Sequence, residues 1–118
     1  MECQVKLNPN ASDMEKLYAL ADALNLRFLQ KASGPFEIMN RLMEETGEIA
    51  TQINVMEDNG IKRFKASPSK EKIASEIRDV MQVLLQIVRH YRIERELAVA
   101  IDGDVKLAIS KGLIQVGS

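Results

Sequence analysis

The sequence predicts an all-α fold, an antiparallel four-helix bundle completed by association of identical copies. Three observations carry that reading. Apolar residues recur at three- and four-residue spacings over most of the chain, while the strict alternation of a half-buried strand is nearly absent. Only three prolines and six glycines interrupt the 118 residues. The main breaks separate four periodic segments joined by short connections, the pattern of helices packed as antiparallel neighbours.

The first helix is expected over about Asp13 to Gln30. "SDME", Ser12 to Glu15, has the capping-box form, and Leu17, Leu20, Ala21, Leu24 and Phe28 follow at helical spacing. "ASGPFE" breaks the pattern. Ser33 or Gly34 caps the second helix, and Pro35 suits its first turn, where a missing N–H costs nothing. That helix should run to about Asp58, with Asn59-Gly60 as its stop. Ser67-Pro68 opens the third, which reaches about Tyr91. The fourth covers about Glu94 to Lys111, and Gly103 marks a place where it could kink. Residues 1–11 read as a flexible arm and 12–118 as a single helical domain.

Composition narrows the function. A net charge of -1 offers no basic field for nucleic acid and no polybasic segment for a membrane surface. No apolar run approaches the roughly 18 residues of a membrane span. The opening "MECQVKLNPN" lacks the apolar stretch of a signal peptide. One cysteine, Cys3, cannot form an internal disulfide, which suits a reducing, cytoplasmic setting.

The unusual feature is acid where apolar surface is expected. At about 100° per residue, Ile38, Leu42, Ile49, Ile53 and Met56 form one stripe of the second helix. Glu45 falls within that stripe, near its edge; Glu48 lies one step outside and Glu44 further round. On the third helix, Ile73, Val80, Val83, Leu84 and Ile87 form the stripe, Glu76 sits inside it and Asp79 one step outside. Each helix thus carries an acidic i, i+3 pair on one face. In an antiparallel hairpin the two pairs fall at one height, since each lies roughly 12–20 Å from the connection at about 1.5 Å per residue. Either pair alone reads as surface decoration. Their shared phase and matching height favour a site. Four ionised carboxylates at close range must be neutralised by protons or cations. Oxygen-only ligands suit a hard cation, Mg²⁺ or Mn²⁺. Zinc and a ferritin-like di-iron centre are poor fits, the latter because it needs Glu-x-x-His on two helices and the chain has one histidine, His90.

"EETGE" (Glu44, Glu45, Glu48), a spacer of 27 residues (49–75) and "EIRD" (Glu76, Asp79) fit E-E-x-x-E…E-x-x-D. In this motif and in helix order over about residues 12 to 111, the chain resembles the MazG-like all-α nucleoside-triphosphate pyrophosphohydrolases, a superfamily that also holds the dimeric dUTPases and dCTP pyrophosphatases. The resemblance implies a dimer or tetramer that hydrolyses nucleoside triphosphates to monophosphate and pyrophosphate in nucleotide-pool housecleaning. It implies Glu45, Glu48, Glu76 and Asp79 as Mg²⁺ ligands, with Mn²⁺ as a substitute, and Glu44 and Glu48 as the acids that handle the attacking water. The family's C-terminal lysine-and-asparagine stretch corresponds here to "IDGDVKLAISKGL", which keeps Lys106 and Lys111 but no asparagine.

Other residues carry weaker signals. Lys62, Arg63, Phe64 and Lys65 form a basic connection between the acidic helices, and Lys62, Arg63 and Phe64 join Lys106 as candidate substrate contacts. Phe36 and Tyr91 could stack on a base but read as core at their helical spacing. Gln30, Lys31 and Asn40 border the second helix and could meet a base edge. The alternative function is a non-catalytic signalling or scaffold module, such as a histidine phosphotransfer bundle with His90 as acceptor. It leaves the acids unexplained and expects an exposed histidine, whereas His90 reads as a partly buried helix residue.

Overall fold

A computed structural model of the chain describes residues 5–27, 34–58 and 69–117. Four helices follow in order: α1 Asp13–Arg27, α2 Pro35–Glu57, α3 Lys70–Tyr91 and α4 Glu94–Ser110. No strand occurs among the described residues, so the all-α expectation holds. The chain divides into two compact units, Met1–Ile87 and Val88–Ser118.

The local signals act largely as their chemistry requires. Ser12 Oγ accepts the Glu15 N–H at 3.1 Å, and Glu15 Oε1 accepts the Ser12 N–H at 3.4 Å, closing the capping box of α1. Pro35 occupies the first turn of α2 behind an extended Gly34. The helix stops one residue earlier than Asn59-Gly60 suggests. Asp58 itself turns left-handed at φ 48°, and its N–H reaches the carbonyls of Asn54 and Val55. Aspartate tolerates this region better than most residues, so it can serve as the turning residue. The cap of α3 is Ser69, whose Oγ accepts the Lys72 N–H at 3.1 Å. Ser67 and Pro68, expected to open the helix, lie outside the described residues.

In the first unit, α2 and α3 run antiparallel. Arg41 meets Gln86, while Glu45 meets Asp79 and Glu76, so the pairing descends α3 as it ascends α2. Among the described residues of this unit, Ala21, Ile38, Val55, Val83 and Leu85 are the buried apolar ones. The buried face of α2 is not quite the one expected. Ile53 and Met56 are exposed, and Val55 takes the inward position. Ile38, Glu45 and Gln52 therefore line the inward face at seven-residue steps. A seam that follows an antiparallel neighbour repeats every 3.5 residues, whereas the straight-helix projection used 3.6 and drifts outward by the end. Glu45 thus lies on the midline of the inward face, not near its edge. On α3, Leu84, expected in the core, is exposed, and Gln82, Leu85 and Gln86 are buried on a different side of the helix, where Gln86 meets α1 as well as α2.

Gln86, 1% exposed, joins the three helices. Its Oε1 accepts from Arg41 Nη1 at 3.1 Å, and its Nε2 donates to Asn25 Oδ1 at 2.9 Å. A buried amide is tolerated because both ends are paired.

In the second unit, Arg92 turns left-handed at φ 54° and α4 begins after Ile93. Arg89 Nη1 lies 3.4 Å from Glu94 Oε2 across that turn. The helix passes through Gly103 without the break considered from sequence. It ends at Gly112, at φ 74°, where the Leu113 N–H reaches the Ala108 carbonyl at 2.8 Å. None of the residues of α4 is buried. Among the described residues, no helix is long and apolar enough to cross a membrane.

Candidate metal centre

Glu45, Glu76 and Asp79 each bring one carboxylate oxygen within 4.8 Å of the other two. These are three of the four acids that the paired i, i+3 positions led one to expect; Glu48 is not among them. Helix α2 supplies Glu45 from its inward midline. Helix α3 supplies Glu76 and Asp79 one turn apart, so a single antiparallel crossing assembles the set. Glu76 is 4% exposed, and Glu45 and Asp79 are half-buried. In an octahedral Mg²⁺ site neighbouring ligand oxygens stand about 3 Å apart and opposite ones about 4.2 Å, so the three oxygens would draw closer together on binding one ion.

The oxygens are poorly satisfied by the protein. Glu45 Oε2 and Glu76 Oε2 are buried, and no nitrogen or hydroxyl donor among the described residues reaches either; a proton on neighbouring Glu48 is a hydrogen that the protein itself can offer these acids. A buried charged oxygen without a donor is costly, so these two atoms call for a proton or a cation. Oxygen donors alone, with no nitrogen or sulfur, fit a hard divalent ion such as Mg²⁺ or Mn²⁺.

Cations of the same helices stand beside the acids. Lys72 Nζ lies 2.9 Å from Glu76 Oε1. Arg78 places both Nε, at 3.2 Å, and Nη2, at 3.0 Å, on Asp79 Oδ1. Arg41, one turn before Glu45, partly offsets that residue's charge.

These neighbours set the proton affinities. Burial, then the charges of Asp79 and Glu76, raise the Glu45 carboxyl above the usual range. The hydrogen bond from Lys72 holds Glu76 below it, despite burial. Lys72 is raised in turn by the same contact. Glu48 lies against Glu76 and is pushed up to about 7, chiefly by hydrogen bonding to the Glu76 carboxylate and then by the charge of Glu45. A proton held by Glu48 near neutral pH is thus one way in which the cluster relieves its own repulsion.

The other candidates fall as follows. Glu48, expected as a fourth ligand, stands at the exposed edge of the cluster, tied to it through Glu76. Glu44 is exposed on α2. Lys106 forms a 2.9 Å ion pair with Asp102 on α4. Lys62, Arg63, Phe64 and Lys65, like Gln30 and Lys31, lie outside the described residues; Asn40 is exposed. Phe36 and Tyr91, read as core, are 80% and 56% exposed. Periodicity placed them on helices but not on the inward face. His90 is exposed too, edge-on to Tyr91, where a partly buried position was expected. The sequence reading missed Gln82, Gln86 and Asn25. The available signal was the seven-residue step from Asp79 to Gln86, which puts a glutamine on the face that carries the acids.

Comparison with protein-family models, with curated proteins and with solved structures gives no match.

Proposed function

We propose that this chain is a Mg²⁺-dependent nucleoside-triphosphate pyrophosphohydrolase of the MazG-like kind. It would act as a homo-oligomer in the cytoplasm and convert nucleoside triphosphates to monophosphate and pyrophosphate. One observation carries the reading: Glu45, Glu76 and Asp79 converge from two antiparallel helices, and Glu45 and Glu76 each also carry a buried carboxylate oxygen with no partner. The E-E-x-x-E…E-x-x-D order of these residues supports the same conclusion.

Glu45, Glu76 and Asp79 would hold the cation, with Glu48 closing the set from its edge. A divalent ion there supplies neutralisation of phosphate oxygens and a lowered pKa for a bound water. Glu48, against Glu76 at the edge of the set, would accept a proton from attacking water. Glu44, exposed beside it, would orient that water. Without a cation the acids repel a triphosphate, so activity requires the ion.

A panel of canonical and damaged nucleoside triphosphates, assayed with Mg²⁺ for pyrophosphate release, tests the proposal. Glu76→Gln should lose metal binding and turnover together. In ¹⁸O-labelled water the label should enter the monophosphate. Orthophosphate as the first product would reject the assignment.

The histidine phosphotransfer reading gains one supporting observation, the exposure of His90. It gives no role to the acid cluster. Phosphoryl uptake that is lost in His90→Asn would favour it.

A further inference from the structure

Lys72 is the cation most closely engaged with the centre. It lies one turn before Glu76 on α3, and its ammonium contacts Glu76 Oε1 at 2.9 Å. The two partners differ sharply in environment. The Glu76 side chain is 6% exposed and the Lys72 side chain 56% exposed. The carboxylate is fixed in the protein, and the lysine reaches it from solvent on a flexible four-carbon stem. Glu48 and Asp79 also face the ammonium electrostatically, so Lys72 compensates the cluster as a whole and not one acid alone. Its pairing leaves Glu76 Oε2, the buried atom, still without a donor.

We infer that Lys72 is a tethered counter-ion. It holds Glu76 while the centre lacks a divalent cation, yields that charge when the cation binds, and then turns to a phosphate of the substrate. The inference rests on the metal-centre reading and goes beyond it by naming a positioning residue that couples metal and phosphate binding. The physical basis is charge balance. A single positive charge and a divalent ion at the same carboxylate repel each other, so they compete for it. Lysine can leave cheaply because its ammonium regains water as it swings out. A polyphosphate arriving at an acid-lined groove brings further negative charge, and a mobile ammonium at the groove's rim is placed to meet it. Metal occupancy therefore raises affinity for phosphate by freeing the lysine as well as by direct attraction.

The test uses the full chain and two probes, Mn²⁺ alone and the Mn²⁺ complex of inorganic triphosphate. Free Mn²⁺ is read by electron paramagnetic resonance, and triphosphate binding by calorimetry at saturating Mn²⁺. Lys72→Met should bind Mn²⁺ about fivefold more tightly than wild type and the triphosphate complex about tenfold more weakly. Lys72→Arg, which keeps the charge, should move both values back towards wild type. Glu76→Gln is the control for the centre itself: wild-type Mn²⁺ affinity in that variant would reject the metal site. If Mn²⁺ binding depends on Glu76 but Lys72→Met leaves it unchanged or weaker, the competition does not exist. An unchanged triphosphate affinity in Lys72→Met would reject the transfer to phosphate.

Discussion

Glu48 is where residue chemistry becomes measurable in the metal-free protein. Its carboxyl moves from an ordinary 4.5 to about 7 on folding, because it hydrogen-bonds the Glu76 carboxylate and faces the charge of Glu45. A raised folded pKa means that the folded state holds the proton more tightly than the unfolded state. The stabilisation is complete below about 4.5 and is lost as pH rises through about 7. Urea denaturation in chelator should therefore show wild type losing stability relative to Glu48→Gln between those values; a pH-independent difference would remove Glu48 from the cluster. Glu76 titrates in the opposite sense, lowered by Lys72, and its contribution disappears on acidification. Gln86 offers a second residue-scale test. Gln86→Ala would leave Arg41 Nη1 and Asn25 Oδ1 without this partner and open space among three helices. A loss of about 1–3 kcal/mol in unfolding free energy is expected.

Among the elements, α4 is the clearest case of local propensity working without burial. It is continuous from Glu94 to Ser110, although none of its residues is buried. Glu94 and Glu96 in its first turn complement the helix dipole, and the Asp102–Lys106 pair adds an i, i+4 contact. A Cβ at Gly103 would meet nothing within 4 Å. Gly103→Ala should accordingly stabilise α4 by about 1 kcal/mol, read as greater helicity or a higher melting temperature. Destabilisation would show that position 103 needs closer approach than the free chain has. Helix α2 illustrates the converse. Its sequence marks both ends, but the inward face follows the seam with α3, so Val55 is buried where Met56 was expected.

At the scale of the molecule, much apolar surface faces solvent. Ile77, Met81 and Leu84 form an exposed run on α3, and Phe36, Met39 and Met43 another on α2. Soluble monomers rarely leave such runs uncovered. Association with a second copy would cover them, and a stable interface needs about 800 Å² per partner. Sedimentation at micromolar concentration should give a dimer or larger species, and Leu84→Glu should shift it towards monomer. A wild-type monomer would remove the premise that copies complete the bundle.

The number of helices, their approximate spans, the capping box at Ser12 and the acid pairs at Glu45/Glu48 and Glu76/Asp79 were all readable along the chain. Each depends on residues within a turn or two of one another. Spacing alone also placed the acid pairs at matching heights. Tertiary structure decided which side of each helix became the inside. Along α2 an antiparallel seam that draws residues inward every 3.5 positions moved Ile53 outward and brought Val55 in, and on α3 contact with both Asn25 of α1 and Arg41 of α2 buried Gln86 while Leu84 stayed exposed. It also decided where Glu48 of α2 meets Glu76 of α3, the contact that sets the proton on Glu48, whereas Lys72, Arg78 and Arg41 each lie within a turn of their acid on the same helix.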